Sequence, residues 1–292
     1  MQTFSLGSHS VGRVGFGAMQ LPGPGVFGPP RDHDQAIAVL RRAIDLGIDH
    51  IDTAQIYGPN VANELIREAL HPYPAGLALV SKVGGTRGDN GEWLPAQDPD
   101  DLRRQIEENL VTLGTDRLAA VNLRLFARDG GDVPARIEDR DLFDRQLDAM
   151  IKARDEGLID GIGLSHVSVE HLRYALERTE IVCVQNAYNL VDRTAQPLLD
   201  ASTEHGIAFV PFFPLGSAFT ADNPILGNPV ITRAATELGY TPAQIALSWT
   251  LTVAPNVLSI PGTSSVAHLE ENTAVRDIEL PGEVVEQLNA VA

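Results

Sequence analysis

The sequence predicts an α/β fold, a (β/α)8 (TIM) barrel that takes up residues 1–292 as one domain, with an N-terminal β-hairpin plug and an extra C-terminal helix. Three observations predict it. Short apolar, β-rich runs alternate with segments of helical period along the chain, a pattern that calls for parallel strands joined by right-handed crossovers. Eight such strand-like runs are present. The length of 292 residues suits a barrel of about 250 residues with additions, and no composition shift or Pro/Gly/Ser linker divides it.

The opening TFSLGSHSVG reads as a hairpin placed to plug the barrel floor, and RVGFGA as the first barrel strand. From Asp34 to Leu46 a helix carries Ile37, Leu40 and Ile44 on one face, and Gly47 supplies a left-handed stop. IDHIDTA is the second strand, VANELIREAL a helix ending before His71-Pro72, and LALVSKV the third strand. A long polar loop follows. Asp101 to Leu113 is helical, with Leu102, Ile106, Leu110 and Leu113 on one side and Gly114 as its stop. LAAVNLRLF is the fourth strand, Asp141 to Glu156 a helix stopped by Gly157, and LIDGIGLS the fifth strand. Ser168 caps VEHLRYALER, IVCVQ is the sixth strand, Arg193 to His205 a helix, and IAFVPFF the seventh strand. Thr241-Pro242-Ala243-Gln244 is a capping box with proline in the first turn, opening IALSWTLTV. VLSIPG, the helix VAHLEEN and the helical tail PGEVVEQLNAVA close the series.

Composition narrows the function. Hydrophobic residues make 43% of the chain and charged residues 21%, a globular balance that excludes wholesale disorder, collagen and coiled coil. The net charge of −17, from 22 basic and 39 acidic residues, points away from nucleic acid and anionic membrane surfaces. An anionic ligand would need local positive charge or backbone amides. The one cysteine, Cys183, sits in an apolar run, so no internal disulfide forms and the thiol reads as buried structure. No signal pattern opens the chain and no stretch approaches a membrane span. A cytoplasmic protein is expected.

Barrel active sites lie at the C-terminal ends of the strands. The polar residues there are Asp52, Lys82, Asn122 and Arg124, Ser165 and His166, and Gln185 and Asn186, with Phe212 at the seventh end and Tyr57 on the loop after Asp52. Asp, Lys and Tyr at one mouth form a chemically sensible set. A tyrosine phenol ionises near pH ~10. A neighbouring ammonium stabilises the phenolate, and an aspartate holds that ammonium charged and oriented. The product is a general acid that protonates an oxygen as it gains charge. Other chemistries fit worse. The histidines form no metal-ligand pair on a strand, GLSHV ends in Val167 where a nucleophile elbow needs glycine, and GRVGFG has its glycines in the wrong order for a dinucleotide fingerprint.

GFGAMQ, HIDTAQIYG, VSKVG, LGTDRLAAVNL, GIGLS, VQNAYNLVDR, FPLGS and IPGTSSVAHLEEN occur in the order seen in the aldo-keto reductases, which the chain resembles over nearly its whole length. The resemblance implies a (β/α)8 barrel that reduces aldehydes and ketones with a nicotinamide cofactor. It places Asp52, Tyr57 and Lys82 on three members of the catalytic tetrad, with the tyrosine as proton donor. Ser165 and Gln185 fall on the residues that hold the nicotinamide amide. His166 stands where the family usually has asparagine, and Phe212 where a ring stacks on the nicotinamide. Ala18 and Met19 fall beside the cofactor. Leu215, Gly216 and Ser217 match the pyrophosphate loop, and Gly262, Thr263, Ser264, His268, Glu271 and Asn272 the segment around the adenosine end. The loops after the last two strands and a helix N-terminus are also the usual phosphate site of this barrel.

The fourth tetrad position is histidine in the family and Arg124 here. An arginine stays protonated and cannot shuttle a proton, but it can donate to the carbonyl oxygen as a fixed oxyanion partner. The other reading has Arg124 turned away into an ion pair. GAMQLPGPGVFGPPRD, the VNLRL strand and VPFFPLG look like the bacterial pyridoxal reductases, which implies NADPH-dependent reduction of pyridoxal to pyridoxine. NADH is the alternative cofactor, because GTSSVAH offers hydroxyls and His268 but no Lys or Arg. Trp93 either stacks on a heteroaromatic substrate or anchors its own loop, and Phe27 with Met19 would line the pocket. The altered tetrad also keeps open a cofactor-sensing regulatory subunit, and, more remotely, a scaffold barrel with no cofactor.

Overall fold

The computed structural model describes residues 2–126, 136–216 and 223–291. The chain opens with an antiparallel hairpin of β1 (Thr3–Leu6) and β2 (His9–Gly12). The barrel strands are β3 (Phe16–Gly17), β4 (His50–Asp52) and β5 (Ala78–Val83). After a second hairpin, β6 (Gly85–Arg87) with β7 (Trp93–Pro95), come β8 (Leu118–Arg124), β9 (Ile159–Ser165), β10 (Cys183–Gln185) and β11 (Ala208–Phe209). The seven barrel strands pair in parallel in chain order, β3 to β11.

The eighth strand is only a pair of bridges, Val257 to Phe209 and Ser259 to Val14. These bridges join the two edges and close the ring, as the (β/α)8 pattern requires. The seam is tight. A side chain on Gly17 would meet the Ile260 carbonyl oxygen at 2.5 Å, and one on Gly262 would meet the Gly17 oxygen at 2.5 Å. Glycine is needed there because two backbones touch.

Helices α1 (His33–Asp45), α2 (Val61–Leu70), α3 (Pro99–Leu113), α4 (Arg140–Asp155), α5 (Val169–Leu176), α6 (Gln196–Glu204), α7 (Pro229–Leu238), α8 (Pro242–Thr252), α9 (Val266–Ala274) and α10 (Gly282–Asn289) surround the sheet. The end signals act as expected. Gly114 closes α3 at φ 68, and capping boxes open α5 (Ser168 with His171) and α8 (Thr241 with Gln244). Three elements differ from expectation. The polar loop after β5 contains the hairpin β6–β7, helix α7 precedes Thr241, and α6 starts at Gln196 rather than Arg193. Arg193 is committed elsewhere, donating to the carbonyls of Leu288, Asn289 and Val291 and so tying down the last turn of α10. That tail helix is the expected C-terminal addition.

Strand alternation sorts the core. Side chains two apart share a face, so Ala78 and Val80, Ala120, Cys183, Ala208 and Val210, and Leu258 and Ile260 fill the barrel together. Leu6 and Val11 of the first hairpin join this interior cluster, at 2% and 1% exposure. The hairpin therefore plugs the floor, because its apolar side chains have the open barrel end to bury into. The opposite strand faces pack on the helices. Among the described residues no helix is long and apolar enough to cross a membrane.

Candidate active site

The same alternation delivers the polar residues. Above each inward layer the next inward position lies at the end of its strand or one residue short of it: Asp52 above His50, Lys82 above Val80, Arg124 above Asn122, Gln185 above Cys183. Register aligns them, with Lys82 opposite Asn122, and Arg124 and Gln185 both opposite Ser165. With the floor plugged, these groups converge on a mouth cavity of about 370 Å³.

Lys82 is at the centre. Its ammonium pairs with Asp52 Oδ1 and donates to the Thr53 carbonyl at 3.1 Å. It also stands 5.2 Å from the centroid of the Tyr57 ring. Burial works against this charge, but Asp52 and then Tyr57 outweigh it and hold the Lys82 pKa above the ordinary lysine value. Lys82 is thus a fixed cation beside the phenol. The second Asp52 oxygen accepts from Gln185 Nε2 at 2.6 Å, which fixes the carboxylate plane. All four side chains line the cavity.

Arg124 lines it too and makes no ion pair among the described residues. Its guanidinium lies 5.2 Å from the Phe126 ring centroid and 5.6 Å from that of Phe212. Its Nε is buried without an acceptor. Burial pushes its pKa down, opposed by Tyr57 and Asp52. Among the described residues Arg124 does not turn away into an ion pair and instead lines the cavity. Asn122 sits one layer deeper, fully buried, donating to the Ser81 carbonyl at 3.3 Å and accepting from the Cys183 thiol. Burial pushes that thiol up to about 12, so it stays protonated and inert.

Two further atoms have no partner. Ser165 Oγ and Gln185 Oε1 are buried and unbonded. A buried polar atom without a partner costs free energy, so this pair is suited to a carboxamide, the hydroxyl donating to its oxygen and the amide oxygen accepting from its NH2. Gln185 and Phe212 line the cavity, whereas Ser165 is fully buried behind its lining. At the far side Leu215, Gly216, Gly262, Thr263 and Ser264 line the wall. They lead to the N-terminus of α9, capped by Ser265, with Thr263 Oγ1 accepting from the Ser265 amide and no acidic residue in the first turn. Such a helix start accepts phosphate despite the net acidity. The residues present therefore fit a nicotinamide dinucleotide.

Met19 lines the cavity, whereas Ala18 is buried behind it. His166 is beside the cavity rather than in its lining. It adopts φ 57, and its Nδ1 lies 3.1 Å from the Leu125 carbonyl. Asparagine and histidine both tolerate that left-handed backbone, which accounts for the exchange. On α9, His268 is exposed, Glu271 half-buried and Asn272 buried. Ser217 lies outside the described residues. Phe27 and Trp93 do not line the cavity as expected. Their rings hold the Arg87 guanidinium, at 5.3 and 4.1 Å from the centroids. Trp93 also meets Tyr57 edge-on at 6.3 Å, which are the contacts of a loop anchor.

Sequence reasoning missed Gln20, Phe213 and Asn223 in the cavity wall. It also missed the support behind the strand ends. Thr53 Oγ1 donates to Asn63 Oδ1, Asn63 Nδ2 donates to Asn109 Oδ1, and Ser81 Oγ donates to the same oxygen. Thr53 and Ser81 adjoin Asp52 and Lys82 in sequence, so this buried network ties β4 and β5 to α2 and α3. Asn63, inside an otherwise apolar helix face, and Asn109, which shares its face with Gln105, were the available signal.

The aldo/keto reductase family profile matches residues 13–292. The chain is 47% identical over 291 residues to pyridoxine 4-dehydrogenase of Escherichia coli K12, covering 99% of this chain and 98% of that protein. It is 37% identical to an uncharacterised oxidoreductase of Schizosaccharomyces pombe, over 98% of this chain and 89% of that one. Among solved structures, an aldo/keto reductase from Klebsiella pneumoniae in complex with NADP and acetate superposes with a TM-score of 0.79 at 28% identity, covering 99% and 94% of the two chains. A profile spanning almost the full length, and a relative sharing nearly half its residues from end to end, lead to one conclusion: the chain belongs to the aldo/keto reductase family.

Proposed function

We propose that the protein reduces an aldehyde to an alcohol with NADPH, that pyridoxal is its substrate and pyridoxine its product, and that Tyr57 is the proton donor. The observation that carries the chemistry is the Lys82 ammonium held between Asp52 and the Tyr57 ring at the cavity floor. The pyridoxal assignment rests on the E. coli relative, and the choice of NADPH on the Klebsiella neighbour. When bound, the reduced nicotinamide supplies a hydride to the carbonyl carbon. Ser165 Oγ and Gln185 Oε1 would hold its carboxamide, Phe212 its ring, and the amides at the start of α9 its phosphate, with Ser264 and Ser265 as hydroxyl donors.

Charge then builds on the carbonyl oxygen. Tyr57 donates its proton there, and Lys82 stabilises the phenolate left behind, itself kept charged and oriented by Asp52. Arg124, buried in the cavity lining, would donate to the same oxygen as a preorganised partner.

The test is steady-state oxidation of NADPH and of NADH with pyridoxal and a panel of aldehydes. Turnover of pyridoxal with NADPH, at a kcat/KM above that of the other aldehydes, is expected. Tight cofactor binding with no turnover of any carbonyl would overturn the proposal in favour of a cofactor-sensing regulator.

A further inference from the structure

Arg87 is a half-buried arginine outside the cavity, and no carboxylate pairs with it among the described residues. Its guanidinium instead donates only to backbone carbonyls. Nε and Nη2 reach Gly91 at 3.1 and 2.7 Å, Nη2 also reaches Gly25 at 3.1 Å, and Nη1 reaches Val26 at 2.9 Å and Ile56 at 3.3 Å. The five bonds match the five N–H donors of a guanidinium. The Trp93 and Phe27 rings also pack against it, with centroids 4.1 and 5.3 Å from its central carbon.

Those partners come from three separate segments, and all three converge on Tyr57. Ile56 directly precedes it. Gly58, directly after it, donates to the Val26 carbonyl at 3.1 Å and accepts from Gly28 at 2.9 Å. Trp93 meets its ring edge-on. Val26 also has φ 58, a left-handed backbone that a β-branched residue adopts only when its surroundings impose it. The Val26 carbonyl is held from two sides, by Gly58 N–H and by Arg87 Nη1.

We infer that Arg87 is a positioning residue for Tyr57: a planar cation that locks the loop carrying the phenol to its two neighbouring loops and so sets the phenol's distance from the reacting oxygen. The inference rests on Tyr57 being the proton donor. A guanidinium suits the task because its five donors are spread in a rigid plane that also packs on aromatic rings, whereas a lysine ammonium is a point with three donors. Catalysis tolerates misplacement poorly, and an error of about 1 Å can cost roughly a hundredfold in rate.

The test measures kcat with pyridoxal and NADPH, and NADPH affinity by fluorescence, for the wild type, Arg87→Met, Arg87→Lys and Tyr57→Phe. Arg87→Met is expected to lower kcat at least about tenfold, with NADPH affinity within roughly twofold because Arg87 lies outside the cavity. Arg87→Lys, which keeps charge and stem, is expected to lose at least about fivefold and carries the test alone if the Met variant does not fold. An NADPH-binding Arg87 variant with kcat within about twofold of wild type overturns the inference. Tyr57→Phe separates the two readings. Retained turnover there removes the phenol as donor and the positioning role with it. Lost turnover there, beside an unaffected Arg87 variant, removes the positioning role alone.

Discussion

Replacing Arg124 by glutamine separates catalytic from structural value at one position. Arg124 has no ion pair among the described residues, its Nε is buried without an acceptor, and burial already disfavours its charge. The substitution therefore relieves a desolvation cost and loses contact with the Phe126 and Phe212 rings. Such cation–ring contacts contribute about 0.5–2 kcal/mol, so the two effects nearly offset and stability should change by no more than about 1 kcal/mol. Activity should not be spared. Removing an oxyanion donor costs about 10²–10³ in kcat, or roughly 2.7–4 kcal/mol of transition-state stabilisation. The assay pairs urea unfolding with kcat across pH. A companion variant, Arg124→His, restores the family's usual residue and introduces a group titrating near pH ~6.5. It should add a limb to the pH–rate profile that the arginine enzyme lacks. Unchanged turnover in Arg124→Gln, or a stability loss well above 1 kcal/mol with activity intact, would refute the oxyanion role.

Three further outcomes follow from the same geometry. Ser165→Ala removes a hydroxyl with no partner, so unfolding free energy should stay within about 0.5 kcal/mol of wild type while the NADPH dissociation constant rises severalfold; equal affinity would deny Ser165 a cofactor contact. In Gly163→Ala the new methyl would meet Asn122 Oδ1 at 2.2 Å and Cys183 Sγ at 2.6 Å, a clash inside the barrel that should cost about 1–3 kcal/mol in urea unfolding. His171 has its pKa lowered to about 4 by burial, and its Nδ1 lies 2.7 Å from Ser168 Oγ. Because the folded pKa lies below the unfolded value of about 6.5, the neutral ring's contribution is complete above that pH and is lost as pH falls toward about 4. At pH ~5 the loss amounts to roughly 2 kcal/mol. His171→Gln keeps a capping partner without a titrating ring and should flatten this part of the stability–pH curve; an identical curve would show that His171 does not drive it.

Much of the barrel is legible in the sequence because parallel strands buried on both faces are written as apolar runs such as LALVSKV and LAAVNLRLF. Once those runs are strands, period-two alternation carries Asp52, Lys82, Arg124 and Gln185 to the same mouth. Turn-dominated segments are less legible. Hairpin β6–β7 hides in a polar loop, although Asn90-Gly91 is a hairpin signal. Helix α7 has its capping residue Asn228, Pro229 in its first turn and the stop Gly239, but it spans only Pro229–Leu238 and buries only Ile231, Ala234 and Ala235. Trp93 and Phe27 show the limit of composition. Two aromatic side chains near a strand end suggest a substrate wall, and only the folded structure shows that both pack on Arg87 instead. His166 shows the converse, since its positive φ explains a departure from the family that the letter alone leaves unexplained.

In the proposed reaction the phenol of Tyr57, beside the Lys82–Asp52 pair, protonates the carbonyl oxygen. The most direct measurement is the single-turnover rate of pyridoxal reduction by NADPH-loaded Tyr57→Phe against wild type, with the NADPH dissociation constant determined in the same samples. General acid catalysis contributes about 10²–10⁴-fold, so a rate at least about a hundred times slower is expected, with cofactor affinity preserved. A Tyr57→Phe enzyme that turns over at the wild-type rate would contradict the donor role of Tyr57.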